Sequence, residues 1–268
     1  MKIKLAGLIL FCCGLVGFTT VNTVRQVASQ TTKFAMSKTE TDLLNEINQA
    51  RANPQLYASY LEKLKPLFKG KSYTPAGTSN PFDTQEGWNA VEDAIKFLRA
   101  AKPQPPLAQS MGLCLAAKSH VSDQSASGTT GHRGGDRMMI EDRVKPYGSW
   151  RGGIGENLAY GDQSARERVL TWLIDDGFAT RGHRTRLMSD SYKSAGICCG
   201  PHKEYGAMCV LTLAGNFTEM SSQNDQNSAA PAKASSTSQP ATQANTSAKP
   251  TNSTSNANKN PSAKPRKF

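Results

Sequence analysis

Apolar residues recur at three- and four-residue intervals over much of residues 39–125, which is the spacing of amphipathic helices. Leu43 and Ile47 belong to the first such stripe, and the segment Thr39–Asp42 before it resembles a capping box. Pro54 then predicts both the end of this helix and the start of a second one, because proline is favoured in a first helical turn.

Two further stripes predict a third helix from Trp88 and a fourth from about Ser110 to Ser125. Residues 69–85 are rich in Gly, Pro, Ser and Thr, so we expect a loop there. A second capping box at Ser164–Glu167 opens a fifth helix that carries Trp172 on its inner face.

The last apolar segments are too short for helices. Residues 194–200 and 206–217 form two runs separated by a turn of Pro, Lys and Glu, which predicts a buried antiparallel hairpin. Helices around a small sheet give an α+β class or a three-layer arrangement.

Both ends of the chain differ from its middle. A short basic segment and an apolar run up to Phe18 are typical of a secretory signal, predicted over residues 1–29, with an uncleaved anchor as the alternative. Residues 219–268 consist mostly of small and polar side chains, which predicts a disordered tail. We therefore expect one domain over residues 30–218, in a protein that is secreted, either extracellular or periplasmic.

The net charge of +11 is spread thinly over the predicted domain. Residues 1–29 carry +3 and residues 219–268 carry +4, which leaves only +4 for residues 30–218. Without a long basic run, nucleic acid is not an expected partner. The basic tail suggests a tether to an anionic cell-wall or membrane surface, although a solubilising tail without a partner is an equal alternative.

Four cysteines follow the predicted signal: Cys114, Cys198, Cys199 and Cys209. An even number in an exported chain indicates disulfides, whose pairing the spacing does not reveal. Adjacent cysteines in a strand point to opposite faces, so the pair at 198 and 199 would not share one metal ion. We expect one bridge across the hairpin to Cys209.

Histidine is sparse, yet two of the four copies stand in similar contexts, Gly131-His132-Arg133-Gly134 and Arg181-Gly182-His183-Arg184. Between them Glu156 lies in a small, mostly apolar segment, where an ionised carboxylate needs a cation or hydrogen-bond donors. Two imidazole nitrogens and a carboxylate suit a divalent metal with an open position. The alternatives are surface turns for the histidines and a structural role for the buried carboxylate.

Three more residues, Asp175, Asp176 and His120, have possible places in such a site. Asp175 and Asp176 follow the Trp172 helix and could add a carboxylate, although a solvated helix end is the simpler interpretation. His120 is either a core-facing helical histidine or a further site member. His202 is expected at the surface, in the hairpin turn. The sequence contains no His-Glu-x-x-His, Gly-x-Ser-x-Gly, Ser-x-x-Lys or Walker motif.

The order of these motifs resembles the CAP superfamily, also called the SCP domain: cysteine-rich secretory proteins, antigen 5 and pathogenesis-related class 1 proteins. The resemblance covers about residues 42–217. It rests on Gly131–Gly134, on Gly155-Glu156-Asn157-Leu158-Ala159-Tyr160-Gly161, on the helix ending at Trp172 and on Gly182-His183-Arg184. The form of residues 175–184 resembles a bacterial branch.

The resemblance implies an α-β-α sandwich with a small, mainly antiparallel sheet and a cleft that holds two histidines and two acids. In some relatives such a cleft binds zinc or another divalent ion. His132, Glu156 and His183 match the family positions, with His132 and His183 as the expected metal ligands. Asp175 replaces the usual second glutamate, and His120 matches a histidine of many bacterial relatives.

Family membership does not fix a function. The first hypothesis is a secreted, non-enzymatic binding module whose cleft takes a divalent metal and a small-molecule, lipid, sterol, glycan or peptide ligand. The second is a metal-assisted, peptidase-like hydrolase in which Glu156 is the general base, together with His132 and His183.

Overall fold

The computed structural model describes residues 35–77 and 79–220. The predicted signal and nearly all of the predicted tail lie outside these residues. Glu219, which we assigned to the tail, instead ends the last strand, so the domain boundary at 218 falls too early. In the part of the chain that the structure describes, no helix is both long and apolar enough to cross a membrane.

The central sheet has four strands in the order β4-β6-β7-β5. Strands β5, β6 and β7 pair antiparallel, and only the two-residue strand β4 pairs parallel, with β6. The strands span Ala108–Gln109 (β4), Gly148–Tyr160 (β5), Ser194–His202 (β6) and Gly206–Glu219 (β7). The predicted hairpin is therefore confirmed as β6 and β7, whereas no strand was predicted at β5.

Helices cover both faces of this sheet, which confirms the three-layer α-β-α sandwich. Alternate strand residues pack into a large core with α1, α2, α3, α6 and α7 on one face, and into two smaller clusters with α4 and α5 on the other. The helices span Lys38–Ala52 (α1), Pro54–Glu62 (α2), Trp88–Ala100 (α3), Met111–Ser127 (α4), Ile140–Val144 (α5), Ala165–Ile174 (α6) and Gly182–Met188 (α7).

The helix starts follow the predicted caps with one exception. Ser164 and Glu167 form the capping box of α6, and Pro54 lies in the first turn of α2, both as predicted. The first capping box, however, uses Ser37 with Glu40, so α1 begins before the segment Thr39–Asp42 that we proposed. A Ser/Thr three residues before Glu is the general signal, and Ser37 satisfies it better.

Residues 69–85 were predicted to be a loop, and this prediction is wrong in part. Some of them, together with Phe68, form a small antiparallel sheet of strands Phe68–Lys69 (β1), Ser72–Tyr73 (β2) and Phe82–Asp83 (β3). The aromatic rings of these strands pack on one another and on Trp88 at the start of α3. Two-residue strands are below the length at which sequence alternation can be read.

Cys199 and Cys209 face each other across β6 and β7 and form a disulfide, which confirms the predicted bridge to Cys209. Cys114 and Cys198 are free and buried. Burial raises the pKa of the Cys114 thiol to about 11 and that of Cys198 to about 12. Both thiols are protonated at neutral pH, so neither is a reactive thiolate.

Strand β5 lies at the outer edge of the sheet, with β7 as its only neighbour among the described strands. Successive residues of a strand point to opposite faces. Glu156 therefore faces the layer of α4 and α5, and Asn157 faces the layer of α6 and α7. Adjacent residues of one edge strand can therefore form hydrogen bonds with residues on both faces of the sheet.

Candidate functional site

Glu156 is the centre of a buried hydrogen-bonded cluster. Its side chain is 2% exposed, and each carboxylate oxygen has its own donor. His132 Nδ1 donates to Oε1 at 2.9 Å, and Arg143 Nη2 donates to Oε2 at 2.7 Å. The cation that the sequence argument required is therefore Arg143, which we did not nominate.

These contacts determine the charge of Glu156. Burial is the largest influence on the carboxyl and alone would raise its pKa, because it disfavours the ionised form. The hydrogen bond from His132 and the positive charge of Arg143 outweigh burial, and the net result is a lowered pKa. Glu156 is thus an ionised, fully engaged carboxylate at neutral pH.

His132 lies in the segment between α4 and α5, and its side chain is 40% exposed. Because an ionised carboxylate only accepts, Nδ1 must carry the proton in the bond to Glu156. In the neutral ring this leaves the lone pair on Nε2. Arg143 Nη1 also donates to the carbonyl oxygens of His132 at 3.2 Å and Met138 at 2.9 Å, which fixes this segment beside Glu156.

His183 forms a second imidazole–carboxylate pair, with Asp175. Its Nδ1 lies 2.6 Å from Asp175 Oδ1, while Oδ2 accepts the backbone N–H of His183 at 2.8 Å. Asp175 has a left-handed backbone with φ of 56°, at the end of α6, and its side chain is 1% exposed. The interpretation of Asp175 as a solvated helix end is wrong; the structure instead brings it to His183, as the resemblance implied.

The arginines beside the two histidines have different roles. Arg184 is buried and donates to the carbonyl oxygens of Leu173 and Ile174 at the end of α6, which anchors α7 to that helix. Arg133, in the first motif, is exposed. The two Gly-His-Arg triplets are therefore alike in sequence only. Arg184 positions His183, whereas Arg143, distant in sequence, supports His132.

Adjacent residues of β5 connect to both imidazole-bearing segments. Glu156 bonds the His132 ring, and Asn157 Nδ2 donates to the backbone oxygen of His183 at 3.1 Å. Arg186, which is also in α7, donates from Nη1 to Asn157 Oδ1 at 3.4 Å. The two pairs thus flank one point of the edge strand, on its two faces.

The remaining candidates, His120, Asp176 and His202, are not members of these two pairs. His120 is fully buried in α4, with Nε2 2.9 Å from the oxygen of Gly131 and 4.0 Å from Glu156 Oε1. Asp176 accepts backbone N–H groups of the segment before α3, not a histidine. His202 was expected at the surface, but it is buried between the rings of Tyr160 and Tyr205.

The donor chemistry of the two pairs suits a metal in part. A metal-binding histidine often donates its other ring N–H to a carboxylate, as His132 and His183 both do. However, the carboxylates of Glu156 and Asp175 accept hydrogen bonds from the histidine rings and are not free to bind a metal themselves. Within residues 35–77 and 79–220, no group of three or more His, Cys, Asp or Glu side chains could hold a metal ion. A zinc centre made of three or four protein ligands does not fit these residues.

Exposed, large apolar residues occur in the segments that carry the two imidazoles. Phe178 is 57% exposed, and its ring meets that of His183 edge-on at 5.1 Å between centroids. Met138 and Met139 are 43% and 41% exposed, beside the carbonyl groups that Arg143 holds near His132. Exposed apolar side chains next to oriented polar groups are typical of ligand sites.

Comparison with known proteins places the fold in a family. An extracellular protein containing an SCP domain from Bacillus anthracis is 18% identical, with a TM-score of 0.35, over 47% of this chain and 38% of that one. An outer surface protein from Borrelia burgdorferi is 17% identical, with a TM-score of 0.36, over 47% of this chain and 86% of that one. No curated protein shows significant similarity. The model of the cysteine-rich secretory protein family, CAP, matches residues 44–217, and the chain belongs to this family.

Proposed function

We propose that the chain is an exported binding module that recognises its ligand through His132 and His183 at the edge of β5. The observation that carries this proposal is the shared arrangement of the two imidazoles. In each, Nδ1 is bonded to a buried carboxylate, which directs the polar Nε2 edge away from that carboxylate. Orientation before binding lowers the entropy that a ligand must overcome.

The residues beside the imidazoles indicate the chemical class of the ligand. Phe178 offers an exposed aromatic ring next to His183, and Met138 is an exposed apolar residue whose backbone carbonyl group shares the Arg143 donor with that of His132. We therefore propose a ligand with an apolar part, such as a lipid, a sterol or an apolar peptide, rather than a glycan. Zn²⁺ or another divalent ion would bind the Nε2 atom of His132 or of His183, and water or the ligand would supply the other positions.

The first test is calorimetric titration of the full chain with ZnCl2 and, separately, with a fluorescent fatty acid. We expect saturable binding of at least one probe, lost in the variant His132→Ala/His183→Ala. His202→Gln is the matched control, because it removes a buried histidine away from the site and keeps a donor for Thr129. Equal binding by the double variant, or no binding of either probe by the wild type, would contradict the proposal.

Glu156 is poorly suited to the role of general base that the second hypothesis gave it. A base must reach the proton that it removes, whereas both oxygens of this buried, ionised carboxylate are occupied by His132 and Arg143. An imidazole with Nδ1 bonded to a carboxylate is the arrangement that activates nucleophiles in catalytic triads. If the family site hydrolyses a substrate, we propose His132 Nε2 as its base.

This second candidate is tested by turnover of p-nitrophenyl esters. We expect His132→Ala to abolish the turnover that the wild type shows above buffer. Glu156→Gln should reduce it less, because the amide oxygen still accepts from Nδ1. Turnover that survives His132→Ala, or its absence in the wild type, excludes this candidate.

A further inference from the structure

The backbone of Gly131, the residue before His132, is held on both sides of its Cα atom. The N–H of Gly131 donates to the hydroxyl of Tyr160 at 2.9 Å. Its carbonyl oxygen accepts from Gln124 Nε2 at 2.6 Å and lies 2.9 Å from His120 Nε2. The Tyr160 hydroxyl also donates to Gln124 Oε1 at 2.8 Å, which closes the network.

The residues of this network are buried although Gly131 is in a loop. His120 and Gln124 are fully buried one turn apart on α4, and Tyr160 is the last, buried residue of β5. Gly131 has φ of +96°, which favours glycine although a Cβ would meet no atom within 4 Å. Loop backbone is usually solvated, so complete engagement by buried side chains indicates that this conformation is specified.

The protonation state of His120 determines which of its ring nitrogens donates a hydrogen bond. Burial is the largest influence on the imidazole and lowers its pKa, and Arg143 adds to this, against the charges of Glu156 and Asp123. A carbonyl oxygen only accepts, so the neutral ring carries its proton on Nε2 and donates to Gly131. Nδ1 is buried without a hydrogen-bond partner among the described residues, which destabilises the fold.

We propose that His120, Gln124 and Tyr160 are positioning residues for His132 and act through the backbone N–H and carbonyl groups of Gly131. They fix the peptide before His132, while Arg143 holds the carbonyl group after it. With both ends fixed, Nδ1 of His132 stays on Glu156 and the ring keeps one tautomer. This inference rests on the proposed function only in taking His132 as a ligand-binding group.

The function of this network follows from the geometry of the site. His132 is 40% exposed, and an exposed imidazole without such support would sample other rotamers and exchange its bond to Glu156 for water. Displacements of about 1 Å are enough to impair a functional site. His120 therefore belongs to the site without being a ligand, because its ring is fully buried and committed to the backbone.

The test is ¹⁵N NMR of the histidine rings in the full chain, which reports the tautomer of each ring without any ligand. In the wild type we expect His132 as the Nδ1–H tautomer. His120→Leu and Tyr160→Phe should each remove this preference, so that both tautomers of His132 are populated. His120→Gln should restore the wild-type spectrum of His132, because its amide nitrogen can donate to the same carbonyl group.

His183 is the internal control, since none of these residues contacts it. An unchanged His132 in both His120→Leu and Tyr160→Phe would overturn the proposal, as would an equal change at His183, which would show a global effect. Tyr160→Phe removes only one oxygen and keeps the measurement possible if His120→Leu does not fold. Failure of the wild type to bind ZnCl2 or fatty acid would reject the proposed function. It would not affect the test of the positioning residues, because the tautomer of His132 is measured without a ligand.

Discussion

Replacing Arg143 with methionine should be among the most destabilising single changes in this domain. The substitution preserves much of the apolar volume of the side chain and removes the cation that faces Glu156. Arg143 and Glu156 have side chains 3% and 2% exposed, so water cannot replace the lost partner without opening the site. The variant therefore isolates the cost of leaving the carboxylate unpaired.

The expected magnitude follows from these contacts. Removing one partner of a buried ion pair costs about 3–5 kcal/mol, because the other charge remains desolvated. Arg143 also donates to the carbonyl groups of His132 and Met138, at about 1 kcal/mol each. Since neighbouring effects are not additive, we expect a loss of about 4 kcal/mol, a large share of the stability of an ordinary domain.

Urea denaturation of wild type, Arg143→Met, Glu156→Gln and the double variant measures this loss. The double variant has no buried charge at this position, and its amide oxygen still accepts from His132. It should therefore recover about 2–3 kcal/mol relative to Arg143→Met. A loss below about 1 kcal/mol in Arg143→Met, or no recovery in the double variant, would refute the argument.

The pH dependence gives an independent check. In the wild type the folded pKa of Glu156 is lowered, so its contribution to stability is present above the unfolded pKa and is lost as the pH falls through the folded pKa. Without Arg143 burial prevails, the folded pKa rises, and the ionised carboxylate destabilises the fold until acid protonates it. The difference in stability between wild type and Arg143→Met should therefore shrink from pH 7 to pH 4.

Three further changes test other parts of the structure. The folded pKa of His120 is lowered by burial, so stability should fall as the pH drops below the unfolded value of about 6.5, and thermal unfolding of His120→Gln should show a slope smaller by up to about 1.4 kcal/mol per pH unit. Replacing Cys199 and Cys209 by alanine should lower the free energy of unfolding in urea by about 2–3 kcal/mol, since the bridge closes a short loop; an unchanged value would show that hairpin pairing alone suffices. Glu219 accepts the backbone N–H of Gly112 in the first turn of α4, so Glu219→Ala should cost about 1–2 kcal/mol by thermal unfolding, and no effect would contradict this capping role.

The sequence located the candidate site segments because their residue types are unusual in their surroundings. A lone glutamate in an apolar segment requires a partner, and two histidines flanked by glycine stand out in a chain with four. The family resemblance added the order of these motifs and the match of Asp175 to the second acid. The structure pairs Glu156 with His132 and Asp175 with His183.

The same reasoning missed Arg143 and misplaced His202. Arg143 is one of many basic residues in the sequence, and nothing local separates a buried arginine from a solvated one. His202 is the last residue of β6 and not part of the turn, and it is covered by the rings of Tyr160 and Tyr205, which come from another strand and from the turn. Contacts between distant segments leave no periodic signal in the chain.

Local chemistry therefore determined the helices with strong caps, the hairpin, the disulfide partner Cys209 and the residues with site potential, since these depend on neighbours a few positions away. Tertiary structure alone decided that Glu156 is neutralised by Arg143 and that His120 serves the backbone of Gly131. It also decided that the two imidazole pairs flank one edge strand. These features depend on the desolvation and geometry created when α4, α5, α7 and β5 pack together, which spacing along the sequence does not encode.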